Sequence, residues 1–348
     1  MTQDGATIPY GELSEREWNR FIEESAGGWV TDHSDWMRFF ERDCGYENHS
    51  FAIVVEGRIR LTFSLFLVPN LLSGKRFVSG PFFDHGGPII ETGWEHLAAE
   101  AQEHVLDLAT FKNVRQIEIR DSKVHLEDTV QRDDYCNFLL ELGRPEEEIF
   151  AGLGENVRRA IRKSKKTCSA LVSRGTEDLQ AVWNLYDATM LDHGTPPWGK
   201  RFFGAFSREL ETGRARLITV THGDALLGGA LFWGNGKVAR LEISASPSLE
   251  ARRLQVNSFL FWQAIISANT LGYESMELTR TLKRSPHYDF KKRWGGREVP
   301  LPFTYLGRES PPPDPRDSFL AHLASLGRYL PPAVMRKIGD PIRIRLAM

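Results

Sequence analysis

One order of secondary-structure elements occurs twice along the chain, and this repetition limits the folds open to it. Residues 49–142 predict a hairpin, a short strand, a helix and two strands, and residues 214–306 predict the same order. The two segments do not match in sequence, but a repeated order of elements indicates two copies of one α+β unit. Because each copy has an antiparallel hairpin followed by a strand–helix–strand segment, we expect mixed, mostly antiparallel sheets flanked by helices.

Local signals support several elements of this pattern. Ser14 and Glu17 form a capping box before a helix whose apolar residues recur at helical spacing. The pair Asn235-Gly236 predicts a tight hairpin. Residues 255–271 predict a long apolar helix. Glu274–Tyr305 predicts a strand, a polar loop and a final edge strand marked by prolines.

The length of 348 residues indicates two domains of ordinary size, followed by a tail. We expect an N-terminal domain at 1–152, a C-terminal domain at 153–309, and a proline-rich linker and tail at 310–348. The linker contains Pro311–Pro315, which favours an extended polyproline conformation. The tail alternates apolar and basic residues over Ile342–Leu346, which is typical of a docking strand or a weak surface anchor at a membrane.

Charge and cysteine content exclude several classes of function. The formal net charge is −2, which argues against DNA or general nucleic-acid binding but permits a local basic patch. Cys44, Cys136 and Cys168 have neither metal-site spacing nor an even count for disulfides, so we expect no metal and chemically idle thiols. With no signal peptide and no long apolar run, the sequence predicts a cytoplasmic protein.

The loop near the C-terminal strand carries the densest group of residues suited to catalysis. Phe290-Lys291 is followed by Trp294-Gly295, and Arg280 and Arg293 lie close by in the sequence. Loops held by a rigid scaffold often carry chemistry. We expect Phe290 to be buried and Lys291 to project from the opposite side, towards a cleft between the units. A solvated basic turn explains the same residues equally well.

Two further segments contain polar residues that could bind a substrate or donor. Helix 155–166 places Val157 and Ile161 inward and Arg158 and Arg162 on an outer face, where phosphate could bind. Charge runs are usually solvated helix faces. The Gly80–Pro88 loop contains Asp84 and His85, which would suit a polar pocket, although a turn-rich connection is the more ordinary interpretation.

These motifs together resemble the Fem family, the aminoacyltransferases that build peptidoglycan interpeptide bridges. The resemblance rests on the Asn156–Lys163 helix and on the Phe290-Lys291 and Trp294-Gly295 pairs. Ser79–Phe82, Gly86–Pro88 and Trp36 add similarity to a branch found with exopolysaccharide and PEP-CTERM sorting loci. It covers roughly residues 30–306.

The resemblance implies a tandem GNAT-like (acyl-CoA N-acyltransferase) fold and transfer of an acyl or aminoacyl group to an amine. The acceptor would be a small molecule, a glycan or a peptidoglycan precursor of the cell envelope or exopolysaccharide system. The co-substrate would be acyl-CoA or aminoacyl-tRNA, with no tightly bound cofactor. The supporting role of the family's lysine would belong to Lys291.

One segment departs from the acetyl-CoA pattern. Where that pattern has a glycine-rich turn, the sequence has Ala251–Asn257, with Arg252, Arg253 and Asn257 as the polar groups able to contact a donor. Leu254 and Val256 place Cβ atoms where a backbone would have to approach pyrophosphate closely. This lowers the expectation of ordinary acetyl-CoA binding and leaves other acyl carriers open.

Acyl transfer to an amine needs a proton acceptor and groups that stabilise negative charge. Glu242 lies between apolar Leu241 and Ile243 and so points to the opposite face of its strand. Burial in a cleft would make it a better base, although an exposed glutamate is the more ordinary interpretation. Asp289 and Tyr288 are alternatives, and Lys291, Arg280 and Arg293 could hold a phosphate or an oxyanion.

A second function remains open, because a repeated fold can lose catalysis in both copies. The chain would then be a non-catalytic binding module of an envelope or polysaccharide system. A titratable group and Lys291 converging on one cavity would favour an enzyme. A basic groove from Arg158–Lys166 to Lys291 would favour tRNA as the donor, whereas a slot between splayed strands near Ser244 and Arg252 would favour a thioester.

Overall fold

The computed structural model describes residues 5–70, 74–120, 124–173, 175–307, 322 and 326–347. The chain forms two compact units. The first unit comprises Met1–Asp134, Leu301–Asp314 and Pro341–Met348, and the second comprises Tyr135–Pro300 and Pro315–Asp340.

The elements up to residue 134 alternate short helices with two groups of strands. They are β1 (Ala6–Pro9), α1 (Glu15–Glu24), α2 (Ser34–Arg38), β2 (Glu47–Asn48), β3 (Phe51–Val55), β4 (Arg58–Ser64), β5 (Phe66–Asn70), β6 (Gly74–Val78), β7 (Gly87–Ile90), α3 (Leu97–Phe111), β8 (Gln116–Arg120) and β9 (Val130–Arg132).

The elements from residue 135 onward carry the longer strands and helices. They are β10 (Tyr135–Glu141), α4 (Glu146–Gly152), α5 (Glu155–Lys165), β11 (Ser169–Ser173), α6 (Leu179–Asp192), α7 (Lys200–Glu211), β12 (Ala215–His222), β13 (Ala225–Asn235), β14 (Val238–Ala245), α8 (Leu249–Leu254), α9 (Val256–Thr270), β15 (Ser275–Glu277), β16 (Thr281–Leu282), α10 (Pro286–Lys292), β17 (Arg297–Pro300), β18 (Phe303–Gly307) and α11 (Pro332–Leu346).

The first unit contains two sheets. One is antiparallel with the order β1-β3-β4-β7, and the other has the order β2-β5-β6-β8-β18-β9, with β6 and β8 parallel. Strands β4 and β5 are separated only by Leu65 but belong to different sheets. The chain changes sheet at Leu65, whose N–H donates to Ser50 Oγ at 2.9 Å instead of a ladder partner. Trp18 and Ile22 on the apolar face of α1 are fully buried, whereas Phe21 is only partly buried.

The second unit is organised around one eight-stranded sheet. Its order is β11-β12-β13-β14-β15-β10-β16, and β17 pairs with β10. The pairs are antiparallel except β14–β15, so the sheet is mixed as predicted. The predicted Asn235-Gly236 hairpin joins β13 to β14. Val157 and Ile161 of α5 are buried in the core that α9 covers, as predicted.

Two strands lie in a different unit from the one predicted. Strand β10, expected to close the N-terminal domain, pairs with β15, β16 and β17 of the second unit. Strand β18, expected in the C-terminal domain, pairs with β8 and β9 of the first. The divisions therefore fall near residues 134 and 300 rather than 152 and 309. Short apolar strands carry no local signal that identifies their partner, which explains the difference.

Two further expectations concern the type of local structure. The segment predicted as a polar loop after β16 contains the helix α10, which begins after Ser285 with Pro286 in its first turn. The tail at Ile342–Leu346 is the end of helix α11 and not a strand. The polyproline linker at Pro311–Pro315 lies outside the described residues. None of the helices within the described stretches has the length and apolar character needed to cross a membrane.

Candidate active site

Strands β14 and β15 pair over three residues only, and we call the point where this pairing ends the strand fork. The two parallel strands pair from Val238–Ser275 to Arg240–Glu277. Strand β14 then continues beside β13 to Ala245, with an irregularity in its register at Glu242, while β15 ends at Glu277. A β-bulge bends its strand and re-aims the side chains around it. Beyond the strand fork, residues 241–245 of β14 therefore continue without β15 as a hydrogen-bonded neighbour.

A buried ion cluster joins the two strands where they separate. Arg240 Nε donates to Glu242 at 2.9 Å and Arg240 Nη1 donates to Glu277 at 3.3 Å. The three side chains are 3%, 8% and 13% exposed, respectively. Buried charges persist where they are paired and hydrogen-bonded. The expectation that Glu242 is an exposed glutamate is therefore wrong, and its carboxylate already accepts a bond from Arg240. Its flanking residues Leu241 and Ile243 are both buried.

Lys291 holds the chain that leaves β15. Its ammonium donates to the Thr279 carbonyl at 3.0 Å, to Thr279 Oγ1 at 2.6 Å and to the Arg280 carbonyl at 3.4 Å. Thr279 has φ +66°, a backbone conformation that a β-branched residue rarely adopts. Lys291 is 7% exposed, so the interpretation as a solvated basic turn is wrong for this residue.

Helix α10 positions Lys291 through local signals and aromatic packing. Ser285 accepts a hydrogen bond from the Tyr288 N–H at 3.2 Å and so caps the helix. Phe290 is partly buried, with its ring 5.3 Å from that of Phe261. Trp294 is 1% exposed and packs against Phe261 at 5.2 Å. The predicted aromatic anchor is therefore present, but it is built on a helix rather than on an extended loop.

Two histidines that were not predicted as site residues lie close to each other, and one of them, His287, lies near Lys291. The rings of His287 in α10 and His193 after α6 are 6.2 Å apart. Burial lowers the pKa of His287, and the charges of Lys291 and His193 lower it further. Burial also lowers the pKa of His193, against the opposing effect of Asp192. Both residues remain exposed to solvent overall, and the lowered pKa values favour neutral imidazoles, which can accept a proton.

The residues before α9 replace a glycine-rich turn with a short helix. Helix α8 contains the exposed Arg252 and Arg253, and Arg252 pairs with Asp192 at 2.6 Å. The left-handed position before α9 is occupied by Gln255, with φ +62°. In the first turn of α9, Asn257 accepts a hydrogen bond from Ser244 Oγ at 2.8 Å, which ties β14 beyond the strand fork to the helix.

The side chains of Leu254 and Val256, expected to obstruct a donor, point into the core of the second unit. They are 9% and 0% exposed. Their Cβ atoms therefore do not stand on the outer side of the turn, and that argument against a phosphate-bearing donor is weaker than the sequence indicated.

Several predicted binding residues have local partners. Arg158 donates to the Ala151 carbonyl at 2.7 Å, at the end of α4. The guanidinium of Arg162 lies 5.1 Å from the Phe150 ring centroid. Both arginines therefore stabilise the α4–α5 corner. Phosphate binding on the outer face of α5 stays a prediction.

The residues around Lys291 divide into bound and exposed groups. Tyr288 Oη donates to Glu298 at 2.7 Å, and this bond raises its pKa to about 12. Arg280 stacks on the Tyr135 ring, with its guanidinium carbon 5.0 Å from the centroid. Asp289 and Arg293 are exposed. Tyr288 is thus a poor proton acceptor, because its phenol is already a donor to a carboxylate.

Asp84 and His85 lie in the first unit, whereas the other predicted site residues lie in the second. Asp84 is 3% and His85 is 8% exposed. The His85 ring packs on Trp29 at 4.9 Å. The positive φ of Gly80 and the Cβ-free approach of the backbone to His85 hold this loop in place. The loop is therefore a buried polar structure rather than a simple turn-rich connection.

Asp32 is a buried carboxyl near this loop. It accepts hydrogen bonds from Ser64 Oγ at 2.9 Å and from the Trp29 N–H at 3.2 Å. Burial raises its pKa to about 6, although both hydrogen bonds and the charge of His85 oppose the shift. No local sequence signal marks Asp32, because its burial depends on strands and loops that are distant along the chain.

Among the described residues, no group of three or more His, Cys, Asp and Glu side chains could hold a metal ion. Cys44, Cys136 and Cys168 are free and buried. That these thiols are chemically idle stays a prediction.

Comparisons with known proteins agree with this architecture. A family model described as an acetyltransferase (GNAT) domain matches residues 154–292, which is less than half of the chain and lies within the second unit. No curated protein matches the chain.

Solved structures match over a longer part of the chain. A crystal structure of FemX has a TM-score of 0.67 and 15% identity, and the match covers 87% of this chain and 98% of FemX. The structure of L-PGS from Bacillus licheniformis has a TM-score of 0.57 and 10% identity, covering 90% and 96%.

A third match is the C-terminal domain of a putative lysylphosphatidylglycerol synthetase from Agrobacterium fabrum. Its TM-score is 0.55 and its identity 14%, with coverage of 85% of this chain and 91% of that domain. Similarity at these identities shows the fold. The chain therefore has a tandem GNAT-like α+β fold, as predicted.

Proposed function

We propose that this protein is an N-acyltransferase that moves an acyl or aminoacyl group from a carrier to an amino group of an acceptor. The observation that carries the proposal is the strand fork with Lys291 buried beside it. Where β15 ends, the continuing part of β14 would offer backbone groups to an extended acyl arm. The buried ammonium stabilises the chain at the fork and supplies positive charge where a carbonyl oxygen would become anionic.

In the proposed reaction, the acceptor nitrogen attacks the carbonyl carbon and the bond from that carbon to the carrier oxygen or sulfur breaks. The attacking amine must lose a proton, and the leaving group must gain one. His287 and His193 are the better candidates for the base, since both are favoured in the neutral form. Glu242 and Asp289 remain alternatives, although Glu242 is already hydrogen-bonded to Arg240.

We assign Lys291 a positioning role with an electrostatic contribution. Its three contacts hold the Thr279 and Arg280 carbonyls. Arg252 and Arg253 on α8 and Asn257 on α9 would contact the donor, while Arg280 and Arg293 lie close to Lys291 in the chain. Arg252 would have to exchange its exposed partner Asp192 for a donor phosphate. Exposed ion pairs are worth less than about 1 kcal/mol, so this exchange costs little.

The carrier is an acyl-thioester or an aminoacyl-tRNA. The strand fork near Ser244 supports a thioester, because a pantetheine arm is narrow and extended. The local contacts of Arg158 and Arg162 weaken the argument for a basic groove that binds tRNA. The resemblance to Fem aminoacyltransferases favours tRNA and an acceptor amine from the cell envelope or an exopolysaccharide. A cytoplasmic location and a membrane contact through the tail belong to the same proposal.

The test is a transfer assay with two donor arms. One arm offers labelled acyl-CoAs, and the other offers labelled aminoacyl-tRNAs, each with a panel of amine acceptors. We expect label to move to an amine in one arm and Lys291→Met to lose most of that activity. Lys292→Met is the matched control, because Lys292 is an exposed neighbour on the same helix. Binding of a donor without transfer to any amine would favour the non-catalytic binding module instead.

A further inference from the structure

The last turn of α11 makes hydrogen bonds that bury its end in the first unit. Three side chains donate to its carbonyl oxygens: Tyr46 Oη to Ile344, Arg76 Nη2 to Leu346 and Arg120 Nη2 to Ala347 at 2.8 Å. All three donor residues are at least nine-tenths buried. The last carbonyls of a helix carry a partial negative charge and have no partner inside the helix. The carbonyl oxygens of this turn therefore accept hydrogen bonds at the positions where the oxygens of an anion could accept them.

Arg76 is a donor residue with one N–H group that the turn does not bond. Its Nη1 donates to Glu118 at 2.9 Å and its Nη2 donates to the Leu346 carbonyl. Its Nε–H is buried and has no hydrogen-bond partner within the described part of the chain. Nε and Nη2 form the side-on edge of a guanidinium, which matches both oxygens of a carboxylate or a phosphate. The single carbonyl oxygen of Leu346 bonds Nη2 and leaves Nε without an acceptor among the described residues.

We propose that Arg76, Arg120 and Tyr46 form an oxyanion-binding pocket whose internal occupant is the last turn of α11. Its ligand would carry a carboxylate or a phosphate group. Such a group would take both Nε and Nη2 of Arg76, where the Leu346 carbonyl takes one. It would carry a full negative charge to two guanidinium groups that share one buried carboxylate, that of Glu118. This proposal stands independently of the transferase reaction.

Displacement of the turn would also remove a hydrogen bond of the loop that contains Asp84 and His85. The Phe82 N–H donates to the Ala347 carbonyl at 2.8 Å. Arg120 Nη1 donates to the carbonyls of Gly80 at 3.2 Å and Phe83 at 2.9 Å. The same guanidinium thus binds the loop and the turn. A ligand that displaces the turn therefore releases the Phe82 amide and gains access to the loop beside it.

Ala347 provides variants that shift this competition in opposite directions. Its φ of +54° is a left-handed conformation that is unfavourable for alanine and unrestricted for glycine. Ala347→Gly should therefore strengthen docking of the turn and weaken anion binding roughly fivefold. Ala347→Val should weaken docking, because a β-branched residue is strained at this φ and because Ala347 is fully buried.

The experiment measures hydrogen exchange of the full chain in phosphate, in acetate and in chloride at equal ionic strength. We expect phosphate or acetate to speed the exchange of amides in residues 342–347 and of Phe82, relative to chloride. The order of sensitivity should be Ala347→Val, then the natural chain, then Ala347→Gly. Arg76→Lys is the matched control, since it keeps the charge and removes the side-on edge, and it should abolish the difference between anions.

Each outcome decides for or against the pocket. A response to phosphate alone assigns a phosphate ligand, a response to acetate alone assigns a carboxylate ligand, and a response to both assigns the shared chemistry. An equal effect of all three salts would mean general ionic screening and would overturn the proposal. So would an anion response that persists unchanged in Arg76→Lys. Ala347→Gly keeps the test valid if Ala347→Val does not fold.

Discussion

Lys291→Met is the substitution that tests most of the proposed site at once. Methionine keeps most of the stem volume and removes the ammonium with its three contacts to Thr279 and Arg280. A hydrogen bond to a charged group contributes about 1.5–3 kcal/mol, and a buried carbonyl left without a donor costs about 1–3 kcal/mol. These costs overlap, because one ammonium serves all three acceptors and its own burial penalty disappears with it.

We therefore expect a loss of roughly 2–3 kcal/mol in the free energy of unfolding. For a domain of this size that corresponds to a fall in Tm of about 5–10 °C. From the sequence alone, Lys291→Met would leave folding unaffected, and the buried contacts of Lys291 change that expectation. The activity should fall on the order of a hundredfold. Thermal unfolding followed by circular dichroism, and the transfer assay run well below the Tm, measure the two effects separately.

The pKa of His287 offers a readout that does not depend on activity. The charge of Lys291 contributes to lowering this pKa, so in Lys291→Met the His287 imidazole should titrate at higher pH, as measured by NMR. Lys292→Met should change neither the titration nor the stability, because Lys292 is exposed. Two folded variants with equal Tm, equal activity and an unchanged His287 titration would refute the role given to Lys291.

Three further predictions concern pH and backbone conformation. The pKa of Asp32 is about 6 when folded and ordinarily 3.8, so its contribution to stability is fully present below pH 3.8 and is lost as pH rises through 6. This amounts to about 3 kcal/mol, so in urea unfolding the stability of Asp32→Asn relative to the natural chain should rise by about that amount between pH 4 and pH 7. An unchanged difference over this range would contradict it. His287→Gln should remove the acidic limb of the pH–rate profile if His287 is the base, and a retained limb would favour His193. Gly80→Ala should destabilise the first unit far more than Gly57→Ala, since both have positive φ but a Cβ at Gly80 would lie 1.9 Å from the His85 carbonyl oxygen, whereas none of the described atoms lies within 4 Å at Gly57. Equal losses in the two variants would show that the loop can move.

The elements that the sequence predicted correctly have signals within a few residues of each other. Helix α1 begins after Ser14 as predicted, although the predicted capping box does not form because the Ser14 side chain makes no capping hydrogen bond. Asn235-Gly236 marks its hairpin through Gly236, which has a positive φ of +53°. The repeated order of elements predicted the tandem α+β fold for the same reason. Ser285-Pro286, a capping residue followed by a proline, also indicates the start of α10. The polar composition of the segment nevertheless favoured a loop.

Other features depended on residues far apart in the sequence, and the tertiary structure alone decided them. Strand β10 pairs in the second unit and β18 in the first. The sequence of a short apolar strand does not specify which strand it pairs with, so these pairings could not be predicted. His193 and His287 are 94 positions apart and adjacent in space. The sequence therefore identified Lys291 as a candidate site residue. Its burial and its contacts with two carbonyls and one hydroxyl determine which groups its charge stabilises. Electrostatic roles depend on distance and burial, and neither quantity exists before the chain folds.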